Sequence, residues 1–209
     1  MIVLFLILTA LCAYFLGGIN GAIIASRLLY KEDIRDHGSH NAGLNNFHRT
    51  YGLKGLLLVV AVDVGKSVLA VLIGRYLMGA VGAPMVGKLF AGLCLMLGHF
   101  YPAFYQFRGG KGVLCIGVLA LMTDWRVGLL CWGVFILIVV FTRYVSLGSI
   151  LGSLSFPLLL MAFGYRELDL VLAFLCAVAV AIKHADNIRR LATGTEGQLN
   201  IGPPKQPRG

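Results

Sequence analysis

Residues 98–113 read Gly98-His99-Phe100-Tyr101-Pro102-Ala103-Phe104-Tyr105-Gln106-Phe107-Arg108-Gly109-Gly110-Lys111-Gly112-Val113, and an apolar run lies on either side of them. Three glycines within four residues let the backbone turn sharply and aim successive N–H groups at one point. Arg108 and Lys111 place positive charge at the same spot. Two readings fit a turn of this kind at the end of an apolar run. One is a cradle for a phosphate; the other is a flexible basic turn lying against anionic lipid. It is not a P-loop, because G-x-x-x-x-G-K-[ST] is met at no lysine of the chain.

The flanking runs set the fold class. Of 209 residues 58% are apolar and only 13% charged, with a mean hydropathy of +0.85. A soluble domain carries about 25% charged residues, so the chain reads as an all-α polytopic membrane protein, one integral membrane domain over 1–209. A net charge of +9 would suit nucleic acid. The basic residues flank apolar runs, however, which points to a lipid bilayer as partner and to no nucleic acid. The five cysteines lie within apolar runs without C-x-x-C spacing, so they indicate packing, with no metal site and no disulfide framework. The first run lacks a basic leader and continues to Ile24, which favours a retained span over a cleaved signal peptide.

Spans are expected at about 2–26, 55–80, 85–104, 147–163 and 168–182, each near the ~20 residues that a bilayer core needs. Two shorter runs, Val113–Thr123 and Val127–Thr142, are separated by Asp124-Trp125-Arg126 and read as short tilted helices or a re-entrant hairpin. The expectation is a compact seven-helix bundle, with five full spans as the alternative. A disordered tail is expected over 198–209. The segments 27–54, 105–112, 143–146 and 183–209 hold 13 of the 18 Lys and Arg. By the positive-inside rule the N-terminus is then outside and the C-terminus cytoplasmic, whichever count holds.

On that reading three polar clusters share the cytoplasmic face. The first runs from Gly38 through Ser39, Asn41, Gly43 and Asn46 to Arg49. The second is the opening stretch. The third runs from Lys183 and His184 through Asn187 and Arg190 to Glu196. Each alone fits a solvated positive-inside loop. Together, their hydroxyl, amide, Arg and Lys groups suit a phosphorylated, hydroxyl-bearing substrate.

These residues resemble the bacterial membrane acyl-phosphate:glycerol-3-phosphate acyltransferases. That family's motifs run G-S-x-N-P-G-A-T-N-x-x-R, G-H-x-F-P-x-F-x-x-F-x-G-G-K-G-V-A-T and K-H-x-x-N-I-x-R-L-x-x-G-x-E, and all three occur here in order. Asp63 and Lys66 resemble a further D-x-x-K feature. The second and third motifs match closely, with Tyr101 for Phe and Leu114-Cys115 for Ala-Thr. The first departs: His40 stands at a Gly, Ala42 at the Pro, Leu44 at the Ala and Asn45 at the Thr.

The resemblance implies acyl transfer from acyl phosphate to the 1-hydroxyl of glycerol 3-phosphate, giving lysophosphatidic acid and phosphate, the first step of phospholipid synthesis. It implies a multi-pass protein of the bacterial inner membrane with its active site on the cytoplasmic side, and no cofactor or metal. Nothing in the sequence sets an oligomeric state, and a monomer is one option. Ser39, Arg49, Lys111, His184 and Asn187 are the implied catalytic residues. Gly38, Asn41, Gly43, Asn46, His99, Arg108, Gly109, Gly110, Gly112, Lys183, Arg190 and Glu196 are the implied substrate-binding residues. Arg49 suits bidentate phosphate binding and Lys111 a point charge. His184 is expected to orient the hydroxyl, with at most a modest role as base. Asp63 and Lys66, three apart, share a helical face and are expected to pair as structural support.

Two other readings stay open. The altered first motif allows a family member with another phosphorylated acceptor, and the membrane setting allows a small organic-phosphate transporter. A lipase-type enzyme and a zincin are excluded, because neither G-x-S-x-G nor H-E-x-x-H occurs.

Overall fold

A computed structural model describes residues 1–199. From residue 200 onward the expected disordered tail lies outside the described residues. All regular elements among those residues are helical: α1 (Ile2–Gly18), α2 (Gly21–Tyr30), α3 (Leu44–Tyr51), α4 (Leu56–Gly79), α5 (Pro84–Phe100), α6 (Val113–Thr123), α7 (Trp125–Thr142), α8 (Val145–Ala162), α9 (Glu167–Lys183) and α10 (Ala185–Ala192), with short 3-10 turns at Ile34–Asp36 and Ala103–Tyr105.

The first span departs from the single helix expected over 2–26. It breaks at Ile19–Asn20 and resumes to Tyr30. Asn20 is the cause. Its Oδ1 accepts from the Ile23 N–H at 3.0 Å and caps α2, while its Nδ2 donates to the Ala42 carbonyl at 3.0 Å. The break frees the Gly17 and Ile19 carbonyls, and Lys66 of α4 donates to them at 3.2 and 2.6 Å. In the polar segment that follows, the unforeseen α3 buries Phe47 against Ile23, Ile34 and Val59.

Five segments are long and apolar enough to cross a bilayer: Ile2–Tyr30, Leu56–Gly79, Pro84–Tyr105, Trp125–Thr142 and Val145–Ala162. Glu167–Lys183 and Ala185–Ala192 add a sixth if they are taken as one span bent by 60°. The helix over Val113–Thr123 has 11 residues, about 16 Å of rise against the ~30 Å of a hydrocarbon core. Its neighbour α7 is longer than the short run expected from Val127. Asp124 caps it by accepting from the Arg126 N–H at 2.9 Å, which starts the helix at Trp125.

The short helix α6 nonetheless reaches the far end of the bundle, where Lys88, near the start of α5, donates to the Met122 carbonyl at 2.7 Å. At its other end the Gly109–Gly112 turn folds back onto the last turn of α5. The Gly110 N–H donates to the His99 carbonyl at 3.0 Å and the Gly109 N–H to that of Phe100 at 3.2 Å. The turn therefore sits sunk between helices, below the Tyr101–Arg108 loop.

Close helix contacts keep this arrangement tight. A Cβ on Gly98 would lie 2.0 Å from the Tyr14 carbonyl oxygen, and one on Gly17 would lie 2.0 Å from that of Leu95. Gly74 and Gly87 do the same for α4 against α5. Leu95, Met96, Phe100, Leu119, Phe156 and Val180 fill the core between α5, α6, α8 and α9. Cys94, Cys115, Cys131 and Cys176 are buried and unbridged, while Cys12 is exposed on α1.

Candidate active site

The second motif supplies the floor. Gly112 sits at φ +70° and caps α6. The first N–H groups of that helix have no intrahelical acceptor and present partial positive charge beside Lys111. Gly110 lies so close to its surroundings that a Cβ would stand 2.4 Å from His99 Nε2 and 2.5 Å from the Ala42 carbonyl oxygen. Gly110→Ala is therefore expected to push the turn outward. A displacement near 1 Å costs about 10²-fold in rate, so kcat/KM should fall by about that factor, measured in detergent with the thermal midpoint recorded alongside.

The third motif closes on this turn from α9 and α10. Lys111 Nζ donates to Asn187 Oδ1, and Asn187 Nδ2 donates to Glu196 Oε1 at 2.7 Å. Glu196 also accepts from Ser146 Oγ at 2.6 Å and from Arg190 Nε at 2.7 Å. Burial alone would raise the Glu196 carboxyl, but the donors Ser146, Asn187 and Arg190 outweigh it and hold it below its usual range. Burial pushes the Lys111 ammonium down to about 8, with the Arg190 charge adding to the shift.

At the 60° bend between α9 and α10 the buried His184 donates from Nδ1 to the Val180 carbonyl, 2.8 Å away. A carbonyl can only accept, so the neutral ring carries its proton on Nδ1 and a lone pair on Nε2. Burial is the main reason its pKa falls to about 4. The ring is neutral at pH 7, able to accept a hydrogen bond and weak as a base.

The first motif meets the others through α3 and the chain after Glu196. Arg49 donates to the Gly197 carbonyl at 3.0 Å and to that of Gln198 at 3.5 Å, and the Leu199 N–H donates to the Arg143 carbonyl at 2.7 Å. Residues 195–199 thus strap α10 to α3 and to the α7–α8 corner. Asn46 spends its amide on the loop itself: Oδ1 accepts from the Ser39 N–H, and Nδ2 faces the Ile34, His37 and Asn41 carbonyls at 3.0–3.2 Å. Gly38, at φ +59°, would put a Cβ 2.3 Å from Asn46 Oδ1. Gly43 caps α3. Ser39 is exposed.

Not every expected residue joins the Lys111 cluster. Lys183 Nζ lies 4.5 Å over the Tyr101 ring. Arg108 is exposed, and its carbonyl accepts from Arg35 at 3.3 Å. His99 meets Lys66 through Nδ1 and lies against Gly110 through Nε2, and among the described residues it makes no hydrogen bond to the Lys111 side chain's partners. Among the described residues no three His, Cys, Asp or Glu side chains converge as metal ligands.

Sequence reasoning missed three residues. Asn20, a lone amide in an apolar run just past Gly17-Gly18, was a legible break signal. Arg35 fixes the aromatic loop by donating to the Tyr105 carbonyl at 2.6 Å while Asp33 holds its guanidinium. Ser146, on the first turn of α8, carried no signal at all.

Comparison with known proteins agrees with the fold and names the family. A family model described as glycerol-3-phosphate acyltransferase matches residues 7–194. A glycerol-3-phosphate acyltransferase of Thermoanaerobacter pseudethanolicus is 41% identical over 197 residues, 94% of this chain and 96% of that protein. One of Finegoldia magna is 36% identical over 198 residues, 94% and 97% of the two chains. Crystal structures of PlsY (YgiH), an integral membrane glycerol 3-phosphate acyltransferase, superpose on the fold. The glycerol 3-phosphate form gives a TM-score of 0.83 at 33% identity, covering 93% of this chain and 96% of that one. The lysophosphatidic acid form gives 0.82 at 31%, covering 93% and 95%. With a family model over residues 7–194, relatives 36–41% identical and a helical frame matched along nearly its whole length, the chain belongs to the glycerol-3-phosphate acyltransferase family.

Proposed function

We propose that this protein transfers a fatty acyl group from acyl phosphate to the 1-hydroxyl of glycerol 3-phosphate, releasing lysophosphatidic acid and phosphate. The observation that carries the reading is the convergence of Lys111, Asn187, Arg190 and Glu196 on a sunken glycine turn, with Arg49 strapped beside them. Lys111 and Arg49 neutralise charge on the two phosphates, the largest contribution available to such a transfer. Asn187 and Glu196 aim Lys111, and Asn46 shapes the loop that carries Ser39. The lone pair of His184 Nε2 accepts from the acceptor hydroxyl and orients it. The hydroxyl oxygen then bonds to the acyl carbon, the acyl C–O bond to phosphate breaks, and the hydroxyl proton leaves on the phosphate. A base near pKa 4 is too weak to hold that proton at neutral pH, so His184 positions more than it abstracts.

The basic loop flanks support a cytoplasmic setting for this end of the bundle, in a bacterial inner membrane with the N-terminus outside. In the altered first motif His40 turns its Nδ1 to the Arg35 carbonyl at 3.0 Å, while Ala42 is buried with its carbonyl against Gly110 of the glycine turn.

The test is product formation by purified protein given glycerol 3-phosphate with either palmitoyl phosphate or palmitoyl-CoA. Lysophosphatidic acid is expected from the acyl phosphate alone. Product from the CoA ester, or none from a folded and monodisperse sample, contradicts the proposal.

A further inference from the structure

Beneath the glycine turn lies a buried polar chain to which the transfer step as written above assigns no role. Lys66 of α4 sits 2.8 Å from Asp63 Oδ1 and 2.8 Å from His99 Nδ1, and it donates to the Ile19 and Gly17 carbonyls at the break in the first span. Asp63 Oδ1 also accepts from the Gly21 N–H at 3.2 Å. All three side chains are buried, His99 with 3% of its surface exposed.

An ammonium has hydrogens and no lone pair, so His99 Nδ1 must be the acceptor. The proton of the neutral ring then has one place left, Nε2. That atom lies against Gly110, one residue from Lys111, at the seam where the Ala42 carbonyl of the first motif meets the turn. Among the described residues Nε2 makes no hydrogen bond to protein, and the atom keeps some exposed surface. Its N–H is therefore open to a ligand at the seam between two of the three substrate-binding loops.

We infer that His99 Nε2–H donates a hydrogen bond to an oxygen of the acyl-phosphate group seated on the Gly109–Lys111 turn, and that Asp63 and Lys66 are positioning residues that fix its tautomer. The inference rests on the acyl-phosphate reading of the site. The proton stays on Nε2 throughout, so the acyl transfer balances without it. The oxygen is either on the phosphate or on the acyl carbonyl, and the kinetics separate the two. A ground-state phosphate contact, once lost, raises KM, whereas a contact to the carbonyl oxygen, which gains charge during attack, lowers kcat.

Two amide substitutions divide the ring between them. His99→Asn keeps an acceptor where Nδ1 meets Lys66 and loses the Nε2 donor. His99→Gln carries an N–H donor out to the Nε2 position and gives up the acceptor. If Nε2–H binds substrate, the Asn variant should lose about 10²–10³-fold in kcat/KM, the range for one lost oxyanion donor, and the Gln variant should stay within about tenfold of wild type. A purely structural His99 gives the opposite order, because the contact to Lys66 is then the one that counts. Gln no better than Asn overturns the inference. A second readout does not depend on activity: 15N shifts of the His99 ring in labelled protein should show a protonated Nε2 and a bare Nδ1, and the reverse assignment also overturns it. Should wild type make no product from palmitoyl phosphate, the acyl-phosphate reading fails instead, and the 15N assignment still decides the tautomer.

Discussion

Lys111→Met is expected to lower kcat/KM by about 10³-fold while leaving the fold intact. The side chain is half-buried, its ammonium rests on Asn187 Oδ1, and the neighbouring Arg190 is already engaged by Glu196. Lys183, the other cation whose charge reaches Lys111, rests over the Tyr101 ring. Loss of a single preorganised donor to a developing oxyanion costs about 10²–10³-fold, and loss of the full charge at a phosphate sits at the upper end. The same residue sets a pH dependence. Burial holds its pKa near 8, so the free enzyme loses the charge as pH rises through that value, and kcat/KM should fall above about pH 8. A bound phosphate favours the charged form, so the fall in kcat should come at higher pH. Stability moves the other way. Between about 8 and the ordinary lysine value the unfolded chain holds a proton that the folded site has released, so stability rises with pH across that window. Initial rates and thermal midpoints at matched pH check both signs. A kcat/KM flat to about pH 10 would mean that Lys111 does not act as the cation that holds the phosphate.

Lys66→Met is expected to cost stability first, by about 3–5 kcal/mol, the range for breaking a buried ion pair from one side. It strands the Asp63 carboxylate inside the bundle and leaves the Gly17 and Ile19 carbonyls without their donor at the break in the first span. Asp63→Asn should cost less, since Lys66 keeps the two carbonyls and His99 as acceptors. The double variant Asp63→Leu with Lys66→Met removes both charges and should recover part of the loss. Its activity should stay low, because nothing then fixes the His99 ring. Thermal unfolding in one detergent, read beside kcat/KM, tests this pairing. A single Lys66→Met variant within about 1 kcal/mol of wild type would mean that the buried chain is not what holds α1, α4 and α5 in register.

The helices were legible because a membrane imposes long apolar runs, and seven such runs became α1 and α4 to α9. The break at Asn20 was less so, since one amide in an apolar stretch shows where a helix can stop but not what its freed carbonyls will meet. Glycine spacing announced a sharp turn at 109–112, with a phosphate cradle as one of two readings. It could not announce how deeply the turn is sunk, which depends on Gly110 packing against His99 and Ala42 from two other elements. The third motif was readable as a set of polar residues, yet Glu196 became an organiser only through Ser146, fifty residues away on another helix. Asp63 and Lys66 were foreseen as a pair on one helical face. That the pair extends to His99 is a tertiary fact with no local signal.

The most direct test of the site is a structure of this protein bound to glycerol 3-phosphate. The phosphate should lie within hydrogen-bonding distance of Lys111 Nζ or of the Arg49 guanidinium, with Arg49 released from the Gly197 carbonyl that it holds in the free protein. Density for the phosphate away from both, on the Arg35 and Arg108 face of the aromatic loop, would contradict the convergence of three motifs on one active site.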